Sequence, residues 1–125
     1  MENKKKSRII LNKYEIKPSS IVTYNDKSND KDRKRIIHSL KGISSAGIMS
    51  EAGMPLISDP GFKLVKDLIN LKIKIIPLPG PTSVISSLVA SGLPTDSFQF
   101  KGFFPKAKKD IQFLCEKIQE FDGTT

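Results

Sequence analysis

Residues 47–61 run Gly-Ile-Met-Ser-Glu-Ala-Gly-Met-Pro-Leu-Ile-Ser-Asp-Pro-Gly and decide the predicted fold. An apolar segment ends at Met49, a loop rich in glycine and proline follows, and an amphipathic segment opens at the end of the stretch. This order predicts a strand, a loop and a helix, with Asp59 as the helix N-cap and Pro60 at the first helical position. Ligands of open α/β sheets bind at the carboxyl ends of strands, so we expect a small-molecule site in this loop. A loop-to-helix junction without a ligand is the alternative, and the stretch by itself favours it.

Strand and helix patterns alternate on both sides of this loop. Short apolar or β-branched runs predict strands at residues 20–24, 43–49 and 72–77. Apolar residues at helical spacing predict helices at residues 4–13, 30–41, 62–71, 83–91 and 111–121. Asn29 or Asp30 is the expected N-cap of the second helix, and Gly92 is expected to end the fourth in the left-handed conformation. The alternation predicts an α/β fold, with a parallel sheet and flanking helices. A length of 125 residues allows one domain at most.

A second turn, Pro79-Gly80-Pro81-Thr82-Ser83, follows the strand predicted at 72–77. The helix after it carries serine and alanine opposite its apolar side. Small side chains allow either a ligand or a neighbouring helix to approach closely, and both alternatives remain open here. Thr82 or Ser83 would offer a hydroxyl and backbone N–H groups to a carboxylate or a ribose.

Four phenylalanines and four lysines are interleaved between residues 98 and 109, at Phe98, Phe100, Lys101, Phe103, Phe104, Lys106, Lys108 and Lys109. Aromatic side chains among lysines can stack on bases while the lysines bind phosphates. The same spacing fits a strand with its phenylalanines in the core. We favour the core position for Phe98 and Phe100.

The composition bounds the classes of function. Twenty-one Lys and Arg against 13 Asp and Glu give a net charge of +8, which suits a polyanionic partner such as RNA, although a solvated lysine-rich surface is the favoured alternative. The single Cys115 fits a reducing compartment and is expected to be buried. The single His38 is expected on a helix surface, so no metal site and no Ser-His-Asp triad are predicted. No apolar run is long enough for a membrane helix or a signal peptide, and we expect a cytoplasmic protein.

Three motifs in a fixed order carry a specific resemblance. They are residues 50–61, residues 77–83 and the Ala-Ser-Gly-Leu-Pro of residues 90–94, followed by Gly-Phe-Phe-Pro at 102–105. Over nearly its whole length the chain closely resembles the tetrapyrrole methylase superfamily and, within it, the ribosomal RNA small subunit methyltransferase I family. The resemblance implies S-adenosylmethionine-dependent 2′-O-methylation of a cytidine ribose in the 16S rRNA of the small ribosomal subunit.

The resemblance also implies a cofactor held in a cleft between two α/β domains. Six residues would border it, Glu51, Gly53 and Met54 in the first loop and Thr82, Ser83 and Val84 in the second. Residue 51 is usually Asp in the family and residue 54 is usually Thr, so here one side chain is longer and one hydroxyl is lost. No catalytic base can be assigned.

The ends of the chain depart from the family pattern. The family begins with a strand and a glycine-containing loop, followed by a Glu-Asp-Thr-Arg segment of which only Glu2 could remain. Its second domain would follow Thr125, so residues 1–125 are expected to form a partial domain. The resemblance allows a homodimer of full-length members. The alternatives are a catalytically incomplete fragment, an RNA-binding remnant and, less favoured because of the positive charge, a tetrapyrrole carbon methyltransferase.

Overall fold

A computed structural model describes residues 3–125, and five α-helices lie in that range. They are α1 (Lys4–Lys13), α2 (Asp30–Ser39), α3 (Phe62–Asn70), α4 (Ser83–Ser91) and α5 (Lys108–Gln119). All five helices predicted from the sequence are confirmed, and their ends differ from the predicted ends by a few residues at most. Glu2, the possible remnant of the acidic family segment, lies outside the described residues.

The predicted parallel α/β sheet is wrong, because residues 3–125 form five helices and no strand or sheet. The three runs predicted as strands, residues 20–24, 43–49 and 72–77, form neither helix nor strand. Residues 72–77 are exposed along their whole length. A strand is stabilised by pairing with a neighbour and by cover on its faces, and an apolar run alone supplies neither.

The ends of α2 and α4 are set by capping residues that act locally. Asn29 caps α2 in a capping box, in which its side chain accepts hydrogen bonds from the backbone N–H groups of Lys31 and Asp32, and the Asp32 carboxylate accepts one from the Asn29 N–H. Gly92 ends α4 in the left-handed conformation, with φ at 73°. Both signals act within a few residues, so neither depends on the rest of the fold.

The start of α3 differs from the prediction. Asp59 and Pro60 lie in the preceding turn, and Gly61 is the N-cap, with φ at 138° and no side-chain capping bond. A Cβ built on Gly61 would lie 3.2 Å from Cγ of Leu56. The Leu56 side chain therefore occupies the space over Gly61, and the helix begins only at Phe62.

The chain divides into two compact units, Met1–Pro81 and Thr82–Thr125. In the first unit, Leu11, Leu64 and Leu68 are buried and α2 packs against α3. Arg33 of α2 joins these helices through a 2.7 Å contact to Asp67 of α3, and it also contacts Asp30 of its own helix at 2.7 Å. The core of this unit is therefore small and is supported by ion pairing between helices.

The second unit contains α4 and α5 and has no fully buried apolar side chain. The apolar side of the α5 segment is half-buried at Ile111, Leu114, Ile118 and Phe121. A single parallel bridge joins Phe98 to Thr124, in which the Gln99 N–H donates to the Thr124 carbonyl and the Thr124 N–H donates to the Ser97 carbonyl, each at 2.9 Å. This bridge holds Thr124 beside Phe98.

Candidate functional site

The first loop of the candidate site is organised by one serine. The Ser50 hydroxyl lies 3.1 Å from both the Ala52 and Gly53 carbonyl oxygens, to which it can donate. A further backbone bond of 3.4 Å runs from the Ile57 N–H to the Met54 carbonyl. These contacts fold residues 50–57 into successive tight turns.

Two of the four non-glycine residues with positive φ in the described part of the chain lie in the same loop, and the other two are Glu15 and Lys72. Leu56 and Ser58 have φ values of 74° and 57°, in the left-handed region that side chains with a Cβ rarely adopt. Such conformations cost about 1–3 kcal/mol each and cluster at ligand-binding and catalytic sites.

Gly53 lies beside Pro81 within the first unit. Its φ is 68°, and a Cβ built on it would lie 3.8 Å from the Pro81 carbonyl oxygen. Pro81 belongs to the second turn, which the sequence places far along the chain from Gly53. The structure therefore places Pro81 next to Gly53, a proximity that neither motif indicates by itself.

The Glu51 carboxylate pairs with the Lys6 ammonium group of α1. Hydrogen bonding from Lys6, and then from Asn3, holds the pKa of Glu51 below its ordinary value. Both side chains remain partly exposed, at 62% for Lys6 and 30% for Glu51. Sequence reasoning missed Lys6, since nothing in the basic run distinguishes it from Lys4 and Lys5.

A small cleft lies under the first loop. It encloses about 30 Å³ and is lined by Tyr24, Ile48, Met49, Ser50, Pro55, Asp59, Pro60, Gly61 and Leu64. This volume is on the scale of water molecules rather than of a nucleoside. Glu51, Gly53 and Met54 do not line it, so the three predicted cofactor residues lie elsewhere on the loop, with Glu51 and Gly53 exposed and Met54 half-buried.

The three other predicted cofactor residues begin the second unit. Thr82 is the N-cap of α4, and its carbonyl accepts from the Ser86 N–H at 3.3 Å and from the Ser86 hydroxyl at 2.7 Å. The Thr82 side chain makes no capping hydrogen bond. Ser83 is exposed, and Val84 is half-buried. The first turn of α4 thus has N–H groups without partners inside the helix.

The chain is similar to curated proteins over nearly its whole length, although no protein-family model matches it. Proteins named ribosomal RNA small subunit methyltransferase I are 41% identical over 123 residues in Halalkalibacterium halodurans, 47% over 106 in Rickettsia prowazekii and 37% over 113 in Thermotoga maritima. These alignments cover 98%, 85% and 90% of the chain. The chain belongs to this methyltransferase family.

The alignments cover 42%, 38% and 50% of those three relatives, so the chain matches half or less of their length. The family resemblance inferred from the motif order is confirmed, and it accompanies a helical structure instead of the expected sheet. None of the helices in the described part of the chain is both long and apolar enough to cross a membrane.

Two further residues that the sequence singled out can be placed. His38 lies exposed on α2, as predicted. The prediction that Cys115 is buried is wrong, because the thiol residue is exposed on α5. The half-buried side of α5 follows Ile111, Leu114 and Ile118, and Cys115 falls outside that spacing.

Proposed function

We propose that the chain is part of a methyltransferase that uses S-adenosylmethionine to methylate the 2′-oxygen of a cytidine ribose in 16S rRNA. The observation that carries this proposal is the 41% identity over 98% of the chain to a protein named ribosomal RNA small subunit methyltransferase I. Its substrate is then the small ribosomal subunit, and its compartment is the cytoplasm, where that subunit is made.

The first loop supplies three of the proposed cofactor residues. Its strained backbone and the approach of Gly53 to Pro81 support a built binding surface. The Glu51 carboxylate, kept ionised by Lys6, would accept hydrogen bonds from hydroxyl or ammonium groups of the cofactor while it retains its contact to the lysine. Gly53 and Met54 would contact the cofactor through backbone and thioether atoms.

The second turn supplies the other three residues. The Thr82 hydroxyl makes no capping bond within α4, and Ser83 is exposed, so both are suited to polar contacts with the cofactor. Val84 is half-buried and would add an apolar contact. These residue types suit a ligand that combines an amino acid, a sugar and a base.

The chemistry of this reaction places modest demands on the protein. S-adenosylmethionine supplies a methyl group on a positively charged sulfur. The protein aligns the ribose 2′-oxygen with that carbon and excludes competing water, and such alignment accounts for much of the acceleration in displacement reactions. A group that removes the 2′-hydroxyl proton would complete the site, and none of the six proposed residues is assigned that role.

Calorimetric titration of the 125-residue chain with S-adenosylmethionine tests the cofactor site. We expect binding by the unmodified chain, weaker binding by Thr82→Val, and unchanged binding by the control Thr95→Val, which alters an exposed threonine in the same unit. At a ligand concentration 100 times Kd, the cofactor should stabilise the fold by about 2.7 kcal/mol in thermal denaturation.

Methyl transfer is measured separately, with tritiated cofactor and small ribosomal subunits that lack the modification. Incorporation at the cytidine ribose supports the whole proposal. Cofactor binding without transfer supports the catalytically incomplete fragment, and salt-dependent RNA binding without cofactor binding supports the RNA-binding remnant. Neither binding nor transfer would count against all three.

A further inference from the structure

The segment of residues 98–109, here called the aromatic–lysine segment, exposes the side chains that the sequence placed in a core. Phe98 is 42% exposed, Phe100 51%, Phe103 86% and Phe104 61%. The prediction of a strand with Phe98 and Phe100 in the core is therefore wrong. Only Phe98 pairs in a bridge, to Thr124, and that single bridge leaves the rings uncovered.

The lysines of the segment are exposed as well, at Lys101, Lys106, Lys108 and Lys109. No acidic residue occurs between Ser97 and Lys109, so the segment carries four positive charges without a neutralising partner in its own sequence. Lys108 and Lys109 stand in the first turn of α5, where positive charge opposes the helix dipole. Helix stability does not explain their presence.

The backbone keeps the two side-chain types interleaved. Gly102 has φ at 77°, which turns the chain between Phe100 and Phe103. The segment continues into α5, where the exposed ring of Phe113 lies 5.9 Å from the Lys117 ammonium. Aromatic side chains therefore stand among positive charges along the sequence from Phe98 to Lys109, whereas Lys117 is paired with Glu120 at 2.6 Å.

We infer that the aromatic–lysine segment binds an unpaired stretch of RNA, with bases stacked on Phe103 and Phe104 and phosphates paired with the lysines. Surfaces that bind single-stranded nucleic acid combine a basic track with aromatic side chains on which bases stack. A protein partner that buries these rings would also have to bury or neutralise the lysines beside them. RNA phosphates neutralise those lysines directly. The inference deepens the proposed function, on which it rests for the class of substrate.

Fluorescence anisotropy with a labelled single-stranded RNA of about 16 nucleotides tests this surface. Phe103→Ala is expected to weaken binding about tenfold, because one base loses its stacking partner. Phe62→Ala is the matched control, since it removes another well-exposed ring, 67% exposed, on α3. That control should leave the RNA affinity unchanged.

Two further variants separate stacking from a structural role. Phe103→Tyr keeps an aromatic face and should retain RNA affinity, whereas Phe103→Leu keeps apolar bulk and should lose it. Heparin supplies the polyanion without bases, so Phe103→Ala should bind heparin as the unmodified chain does. Equal losses for RNA and heparin, or retention of RNA affinity by Phe103→Leu, would overturn the inference.

The lysines are tested through the dependence of affinity on salt. The double variant Lys106→Gln, Lys108→Gln should reduce the magnitude of the negative slope of log K against log salt by about 1.4, since each phosphate contact on a single strand contributes about 0.7. Lys31→Gln, Lys34→Gln removes two exposed lysines from α2 and should leave the slope unchanged. Equal slopes in both double variants would also overturn the inference.

All of these measurements are made without a methyl donor, so the two proposals fail separately. RNA binding that depends on Phe103 in a chain that does not bind cofactor leaves the inference standing and removes the proposed function. Cofactor binding in a chain whose RNA affinity does not depend on Phe103 leaves the proposed function standing and removes the inference. Anionic lipid vesicles are the remaining probe, and binding to vesicles that depends on Phe103 more strongly than RNA binding does would assign the surface to a membrane instead.

Discussion

Gly53 and Pro81 approach so closely that a Cβ on Gly53 would lie 3.8 Å from the Pro81 carbonyl oxygen. That distance is an ordinary contact, so the space alone would admit alanine. The φ of 68° makes alanine costly, because the left-handed region costs a residue with a Cβ about 1–2 kcal/mol. Gly53 is therefore favoured by its backbone conformation, in a loop where Leu56 and Ser58 adopt similar conformations in spite of their Cβ atoms.

Gly53→Ala should lower the free energy of unfolding in urea by about 1–2 kcal/mol. It should also weaken S-adenosylmethionine binding, because the loop that carries Glu51 and Met54 would shift. Gly47→Ala is the control, since its φ is not positive and nothing lies within 4 Å of a Cβ built there. Equal stabilities for the two variants would show that the Gly53 conformation is absent in solution.

The ion pair between Lys6 and Glu51 gives a prediction about pH. Because the folded pKa of Glu51 lies below its unfolded value, the pair contributes stability at pH above the ordinary carboxyl pKa. That contribution declines as the pH falls below the ordinary carboxyl pKa, and it is gone once the pH has fallen through the lowered pKa. Lys6→Gln should raise the pKa of Glu51 toward its ordinary value, as measured by NMR titration of the side-chain carboxyl carbon.

Lys5→Gln is the matched control for this pair, because it removes an adjacent exposed lysine from the same helix. It should leave the titration of Glu51 close to that of the unmodified chain. If Lys6→Gln and Lys5→Gln gave the same pKa for Glu51, the carboxylate would have no specific partner on α1. The assignment of Lys6 to the candidate site would then be withdrawn.

The residues that sequence reasoning found and missed differ in the range of their interactions. Asn29 and Gly92 act on the backbone within a few residues, so the ends of α2 and α4 could be read from the sequence. Lys6 meets Glu51 across 45 positions, and no local pattern distinguishes it from its lysine neighbours. Long-range side-chain pairing was therefore outside the reach of motif analysis.

The strand predictions were wrong for a related reason. Residues 43–49 and 72–77 have apolar composition that suits a buried strand, but strand formation depends on partners elsewhere in the chain. In the structure, residues 43–48 and 72–77 are exposed and form no strand. The loops that the strands were expected to position were nevertheless predicted as loops, because glycine and proline act locally.

Arg33 supports the packing of α2 on α3 and gives a prediction about stability. Its side chain is 14% exposed and contacts both Asp30 and Asp67, and these carboxylates raise its pKa. Arg33→Met should lower the urea midpoint, because Asp67 loses its partner from the neighbouring helix. Arg35→Met should change the midpoint less, since Arg35 is 77% exposed and pairs only within α2, at 3.3 Å from Asp32.

The comparison of these two arginine variants should be repeated at high salt. Screening weakens exposed pairs most, so added salt should reduce any effect of Arg35→Met while much of the effect of Arg33→Met persists. Identical midpoints for the two variants would contradict a role for Arg33 in joining the helices.

Gly123 controls the bridge that holds the carboxyl end of the chain. Its φ is 154°, and a Cβ there would lie 2.5 Å from the Ser97 carbonyl oxygen and 2.7 Å from Cε1 of Phe121. Gly123→Ala cannot be accommodated without backbone movement, so we expect the bridge between Phe98 and Thr124 to open. Amide hydrogen exchange at Gln99 and Thr124 should then become faster.

Gly92→Ala separates strain from steric overlap in the same unit. Gly92 also has a positive φ, 73°, but nothing lies within 4 Å of a Cβ built there. It should cost about 1–2 kcal/mol through backbone conformation alone and leave exchange at Gln99 and Thr124 unchanged. Because the bridge holds the segment that begins at Phe98, Gly123→Ala should also weaken RNA binding, whereas Gly92→Ala should not. Faster exchange in both variants would mean that the bridge depends on α4 rather than on the close packing around Gly123.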